Sequence, residues 1–207
     1  MTKTDFKKTM KEFYAPKSVE FILVDVPEMS LLMIDGKGDP NSSKEYKAAL
    51  ETLYPVAYKT KFISKKTLEK DYVVPSLEGL WWADDMSSFT ENLDKSQWSW
   101  TMMIMQPDWI TAEIISEAKQ QAAKKCSSEA LGKLRFERFK ESLSLQCLHI
   151  GSYDDEAPTL AKLHDEIMPE QGYDYNGKHH EVYLSDPRRV APEKLKTILR
   201  QPVRKKA

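Results

Sequence analysis

The chain has few of the residues on which redox-stapled or metal-stapled proteins depend. Its 207 residues include two cysteines and four histidines. Cys126 and Cys147 have neither the number nor the spacing of a disulfide framework or a metal site. Cys147 falls within the apolar run 143–150, where a core thiol is expected. No HExxH or comparable pair occurs, and the adjacent His179 and His180 point to opposite faces of a strand, so they do not chelate one ion. No metal and no other cofactor is expected. A charge surplus is also lacking: 31 Lys+Arg stand against 32 Asp+Glu, a formal net charge of −1. That argues against a direct nucleic-acid partner, which needs basic residues to neutralise phosphates. The locally basic end, with Arg200, Arg204, Lys205 and Lys206, reads as a solvated, frayed terminus. No apolar run approaches a membrane span, and Lys3, Asp5, Lys7 and Lys8 occupy the place of a signal peptide's apolar core. A cytosolic protein without a membrane partner is expected.

What remains is an ordinary globular composition, 41% hydrophobic and 30% charged, long enough for one large domain or two packed halves. Residues 1–18 predict a short arm, with Phe6, Met10, Phe13 and Tyr14 at helical spacing. The apolar stretches 19–24 and 29–34 predict a bent or hairpinned strand pair. Residues 45–63 carry a helical stripe that Pro55 is expected to kink or break. An extended segment at 71–82, a polar loop at 83–96, a strand at 98–106 and a helix at 111–125 follow.

The pattern then begins again: strand segments at 134–139 and 143–150, a helix at 158–169, a strand from His179 to Leu184, and a last helix at 192–200 with Pro192 in its first turn. This is an internal repeat. Phe21 and Gly36 fall on Phe136 and Gly151 at one offset. After a deletion in the second copy, Gly79 falls on Gly172 and Pro107 on Pro187. The fold expected is α+β: a tandem, pseudo-twofold repeat of two β-α-β-β units, about 19–125 and 134–203 of a domain covering 19–207, with a groove between them. Such interfaces are favoured ligand sites.

On the strand beginning at His179, His180, Val182 and Leu184 face one way and His179, Glu181, Tyr183 and Ser185 the other. If the second face lines the groove, Glu181 and Tyr183 are an acid/base couple or an anchor for a cation. The repeat alignment sets Thr101 opposite Glu181 and Met103 opposite Tyr183, giving one acidic wall and one neutral, thioether-lined wall. All five tryptophans lie between positions 81 and 109. Trp81 and Trp82 are adjacent on a strand, so they cannot share one core, and at least one is expected to line a site for a small planar aromatic or cationic ligand. Trp100 and His179 complete the candidate ligand-binding set of Trp81, Trp82, Trp100, Thr101, Met103 and His179.

Three stretches carry a family resemblance: Leu77-Glu78-Gly79-Leu80-Trp81-Trp82, the run from Asn176-Gly177-Lys178-His179-His180-Glu181 through Val182-Tyr183-Leu184-Ser185-Asp186-Pro187-Arg188-Arg189, and the segment 191–203. From about Val19 to Val203 the chain resembles the GyrI-like small-molecule-binding family, in particular its stand-alone branch. The resemblance implies two SHS2 units with a central ligand cleft. It also implies that Glu181 matches the acidic residue which, on the last strand of the second unit, binds cationic drugs in the effector domains of multidrug-responsive regulators. Those regulators carry a helix-turn-helix domain, for which this chain has no room. Other members inhibit DNA gyrase. The tryptophan-rich first unit looks closest to members implied to hydrolyse cyclopropane-bearing DNA-alkylating natural products. On that resemblance Glu181 would be the base and Tyr183 a donor to the developing oxyanion. The alternatives are sequestration of a drug without turnover and a gyrase-inhibitor-like partner protein.

Overall fold

A computed structural model describes residues 2–89 and 93–206. The arm consists of β1 (Lys3–Thr4) and two single helical turns, α1 (Phe6–Thr9) and α2 (Lys11–Tyr14). β2 (Ile22–Lys37) is one strand of 16 residues, so the two apolar stretches expected as a pair are continuous through Pro27. In α3 (Lys44–Thr67), the Ser43 hydroxyl caps the first turn by accepting from the Tyr46 N–H at 3.2 Å. Pro55 does not break this helix. The Glu51 carbonyl, which proline cannot satisfy, is met by the Cys126 thiol at 3.8 Å.

β3 (Asp71–Tyr72) pairs in parallel with β1, and β4 (Leu77–Trp82) and β5 (Ser99–Gln106) complete the first unit. Of the expected polar loop 83–96, residues 90–92 lie outside the described residues. After α4 (Ala112–Ala122) and α5 (Ser128–Lys133) comes β6 (Arg135–Ile150), again one long strand. Next are α6 (Ala157–Ala161), a π-helical turn (Lys162–Ile167) and α7 (Met168–Glu170). β7 (Tyr173–Tyr175), β8 (His179–Tyr183) and β9 (Lys196–Lys205) end the chain.

The two β-α-β-β units are therefore β2-α3-β4-β5 and β6-α6/α7-β8-β9. Their strands form one antiparallel sheet in the order β6-β2-β5-β4-β8-β9, and β9 returns to pair with β6 and closes it. The expected last helix is the strand β9. Only the capping turn Pro192–Lys194 is helical. Ile198 and Leu199 are both fully buried although they point to opposite faces, and a strand buried on both sides needs such a run. This moves the repeat register. β8 corresponds to β4 and β9 to β5, so Gly79 and Gly172 are not equivalent, nor are Pro107 and Pro187. Glu181 lies on the penultimate strand, not the last.

The sheet has two covered faces. On one, α3 and α4 pack Leu53, Val56, Ala57 and Ile115 onto Leu32, Ile34, Trp100, Met102 and Ile104. Further along that side, Leu163 and Met168 cover Leu145 and Val203. The opposite face gathers Met29, Leu31, Met33, Leu80, Met103, Met105, Val182 and Ile198 under Tyr14 and the rest of the arm.

That second face also holds a buried ion cluster. His180 lies 2.8 Å from Glu141 and 3.1 Å from Glu78. Arg200 bonds Glu141 and Gln146, each at 3.0 Å, and the Phe13 carbonyl at 2.9 Å. Tyr14 donates to Glu78 at 3.0 Å. Arg200 is thus not part of a frayed tail. It is 1% exposed and ties the arm to the sheet. Burial pushes the Glu141 carboxyl up, but His180 and Arg200 outweigh it and hold the pKa near 2. Burial likewise works against the His180 cation, and Glu141 and Glu78 raise its pKa to about 9.

Candidate functional site

The two units meet where β4 pairs with β8, with Gly79 opposite Glu181, Leu77 opposite Tyr183 and Trp81 opposite His179. Directly paired residues share a face, and this one is the face turned toward α3 and the turn before α6. Gly79 is required here. A Cβ at this position would sit 2.8 Å from Trp81 Nε1, 3.2 Å from Tyr183 Oη and 3.3 Å from Met102 Sδ.

Trp81 Nε1 donates to the Tyr183 hydroxyl at 2.9 Å. An indole only donates and a phenol has one proton, so the Tyr183 proton goes to its other partner, the Glu181 carboxylate. Burial, and then the charge of Glu181, push the Tyr183 pKa far above its usual value. His179 Nε2 stands 3.4 Å from Glu181 Oε1, and the two side chains are 11% and 14% exposed. Tyr46 from α3 lies 6.2 Å from Trp81 and edge-on to Trp100 at 5.2 Å. Tyr153 stands edge-on to Tyr183 at 5.7 Å. Both phenols are held in the protonated form by burial first and Glu181 second. At one end Trp98 meets Trp81 edge-on at 5.9 Å and stacks on Phe89 at 4.4 Å.

The sequence-predicted residues divide between the two faces. Trp81, His179, Glu181 and Tyr183 come together. Trp100 lies on the same face but is core: it is fully buried and donates to the Gly38 carbonyl at 3.2 Å. Trp82, Thr101 and Met103 belong to the opposite face. Trp82 packs toward the arm side and carries the Lys178 ammonium 3.1 Å from its ring centre. Thr101 donates to Asp35 at 2.6 Å, and Met103 is fully buried beneath the arm. The neutral wall expected from Thr101 and Met103 is replaced by tyrosines, because the strand opposite Glu181 is β4.

Sequence reasoning missed Tyr46, Tyr153 and Glu156. Nothing in the acidic run Asp154-Asp155-Glu156 marks one member as buried, yet Glu156 is 5% exposed. Only the cap of the following helix, at Pro158, hints that the run turns inward. A cavity of about 420 Å³ lies elsewhere, between the arm and the start of β3, lined by Thr4, Lys70, Asp71 and Trp109. It includes none of these groups. The arrangement at Glu181 is a carboxylate fixed by a phenol and walled by aromatic rings, able to take up a proton or to face a cation.

With this geometry the chain falls in a defined class. It belongs to the GyrI-like family, whose small-molecule-binding domain model matches residues 20–204. Among solved structures, it is similar to an uncharacterized conserved protein from Listeria innocua, with 43% identity and a TM-score of 0.87 over 98% of this chain and 100% of the other. Two structures described as Listeria innocua hydrolases share 41% identity each, with TM-scores of 0.83 and 0.85 and the same coverage. No curated protein matches the chain. Among the described residues, no helix is long and apolar enough to cross a membrane.

Proposed function

We propose that the protein hydrolyses the activated cyclopropane of DNA-alkylating natural products, with Glu181 as general base. The observation that carries this reading is the Trp81–Tyr183–Glu181 hydrogen-bond chain. It fixes a carboxylate in a partly dehydrated, aromatic-walled site, and the similarity to proteins described as hydrolases supports it. In the reaction, Glu181 takes a proton from water and the water oxygen attacks the strained CH2. The ring C–C bond breaks and its electron pair passes through the dienone to the carbonyl oxygen; the phenolate so formed takes up one proton and Glu181 gives up the one it took, so that one water is added across the broken bond. Tyr183 has both hydrogen-bonding directions engaged, so its part is to orient Glu181. Trp81, Tyr46 and Tyr153 hold the flat substrate and exclude bulk water.

The second reading is sequestration of a planar cation, favoured by the three phenols and one indole around a single carboxylate. Product formation with substrate in excess separates the two, because sequestration stops at one equivalent. Glu181→Gln keeps the shape of the site. As a hydrolase it loses roughly 10²- to 10⁴-fold in turnover while still binding neutral flat ligands. Parental turnover by this variant removes the base assignment.

A further inference from the structure

Glu156 follows the 3₁₀ turn Tyr153–Asp155 and stands at the N-cap of α6, where the capping box of Ser152 and Asp155 holds the chain. It is 5% exposed, its Oε1 is buried, and the Thr197 hydroxyl is the hydrogen-bonding group that faces its carboxyl. His164 Nε2 and His179 Nδ1 are also buried on this side, each without a hydrogen-bond partner. Thr197 is fully buried and pairs with Tyr183 across β8 and β9. Orphaned polar atoms are uncommon in protein interiors and gather where a site awaits a polar partner.

The titratable groups facing Glu156 are Glu181 and Tyr183 from β8, Cys147 from β6, and Tyr153 and Asp154 from its own turn. All are acids. A second carboxylate beside Glu181 would be buried without a cation, which is costly. Burial first, and the Glu181 charge second, therefore hold Glu156 protonated well above the carboxylate range. Two carboxyls in differing environments that share one proton divide into an acid and a base.

We propose that Glu156 is a second catalytic carboxyl, the general acid that protonates the substrate carbonyl oxygen while Glu181 takes the proton of the attacking water. This assignment rests on the hydrolase reading. Water gives one proton to Glu181 and its oxygen to the CH2 carbon. The C–C bond breaks, its electron pair arrives on the carbonyl oxygen, and Glu156 gives its proton there. A proton then passes from Glu181 to Glu156, and the sum is the addition of one water across the broken bond. Tyr153, edge-on to Tyr183 and 39% exposed, is the partly exposed ring of the site, and the substrate enters beside it.

The test uses Glu156→Gln, which matches the neutral acid in shape and charge and leaves the fold in place. Difference infrared spectra of the parent protein against this variant at neutral pH show a protonated carboxyl band; absence of that band overturns the proposal. With activated cyclopropanes whose product phenols differ in acidity, the variant's loss of turnover is roughly 10²- to 10⁴-fold on the least acidic product. It shrinks as the product phenol becomes more acidic, whereas the loss from Glu181→Gln stays constant. The alkaline limb of the pH–rate profile disappears in Glu156→Gln. Equal losses on every substrate, or parental turnover, overturn the acid role and leave the hydrolase reading standing. Absence of turnover by the parent protein overturns both.

Discussion

His180 sits on the reverse side of the strand that carries Glu181, and its protonation is tied to folding. Its pKa is about 9 in the folded protein against an ordinary 6.5. Each tenfold in proton affinity is worth about 1.4 kcal/mol, so protonation favours the folded chain by about 3 kcal/mol. Because the folded value is raised, this stabilisation is fully present below pH 6.5. It declines as the unfolded chain loses its proton first, and it is gone once pH rises through 9. The perturbation is therefore pH itself, with His180→Gln as the reference that lacks the titrating group. Urea unfolding followed by tryptophan fluorescence, at half-unit steps from pH 6.5 to 9.5, gives both curves. The stability difference between parent and variant shrinks by about 3 kcal/mol across that window. Glu156, also raised by burial, tilts both curves alike and cancels in the difference. Parallel curves, or an imidazole that titrates below pH 7 by NMR, would refute the claim that Glu141 and Glu78 hold a buried cation.

Three further outcomes follow from the same geometry. Leu145→Ala, at a residue 1% exposed beneath the π-helical turn and α7, costs about 2–5 kcal/mol in denaturant unfolding; a loss below about 1 kcal/mol would mean that this side of β6 collapses to fill the space. Gly79→Ala pushes a methyl group against Trp81 Nε1 and Tyr183 Oη, so turnover and flat-ligand binding fall together, and an unchanged pair shows that the Trp81–Tyr183 bond does not shape the site. Tyr183→Phe removes the hydroxyl that orients Glu181 and lowers turnover while leaving ligand affinity within a few-fold, as titration calorimetry beside product assays will show; loss of affinity alone places Tyr183 in the binding wall instead.

Much of this protein is determined locally. The helical spacing of Phe6, Met10, Phe13 and Tyr14 in the arm, the alternating faces of the strand from His179 to Tyr183, and the opposition of Trp81 and Trp82 each depend on neighbours within a few residues, and period and punctuation express them. The pairing of Glu181 with Tyr183 on one face belongs to this class; the two-unit repeat was legible as well, but with Gly79 and Pro107 matched to the wrong partners. Which strands lie beside one another was decided by closure of the sheet. Residues 192–200 have helical spacing in Leu195, Ile198 and Leu199, yet they bridge β8 and β6, and burial on both sides makes most of them strand β9. The same closure carries Arg200 inward, because Glu141, more than fifty residues away in sequence, supplies its countercharge. It also exchanges Thr101 and Met103 for the tyrosines of α3 and the turn before α6 as neighbours of Glu181. Glu156 is the plainest case: in sequence it is one of three consecutive acids, and only the tertiary fold, which turns it toward Thr197 of β9 and within the field of Glu181, removes this one from water.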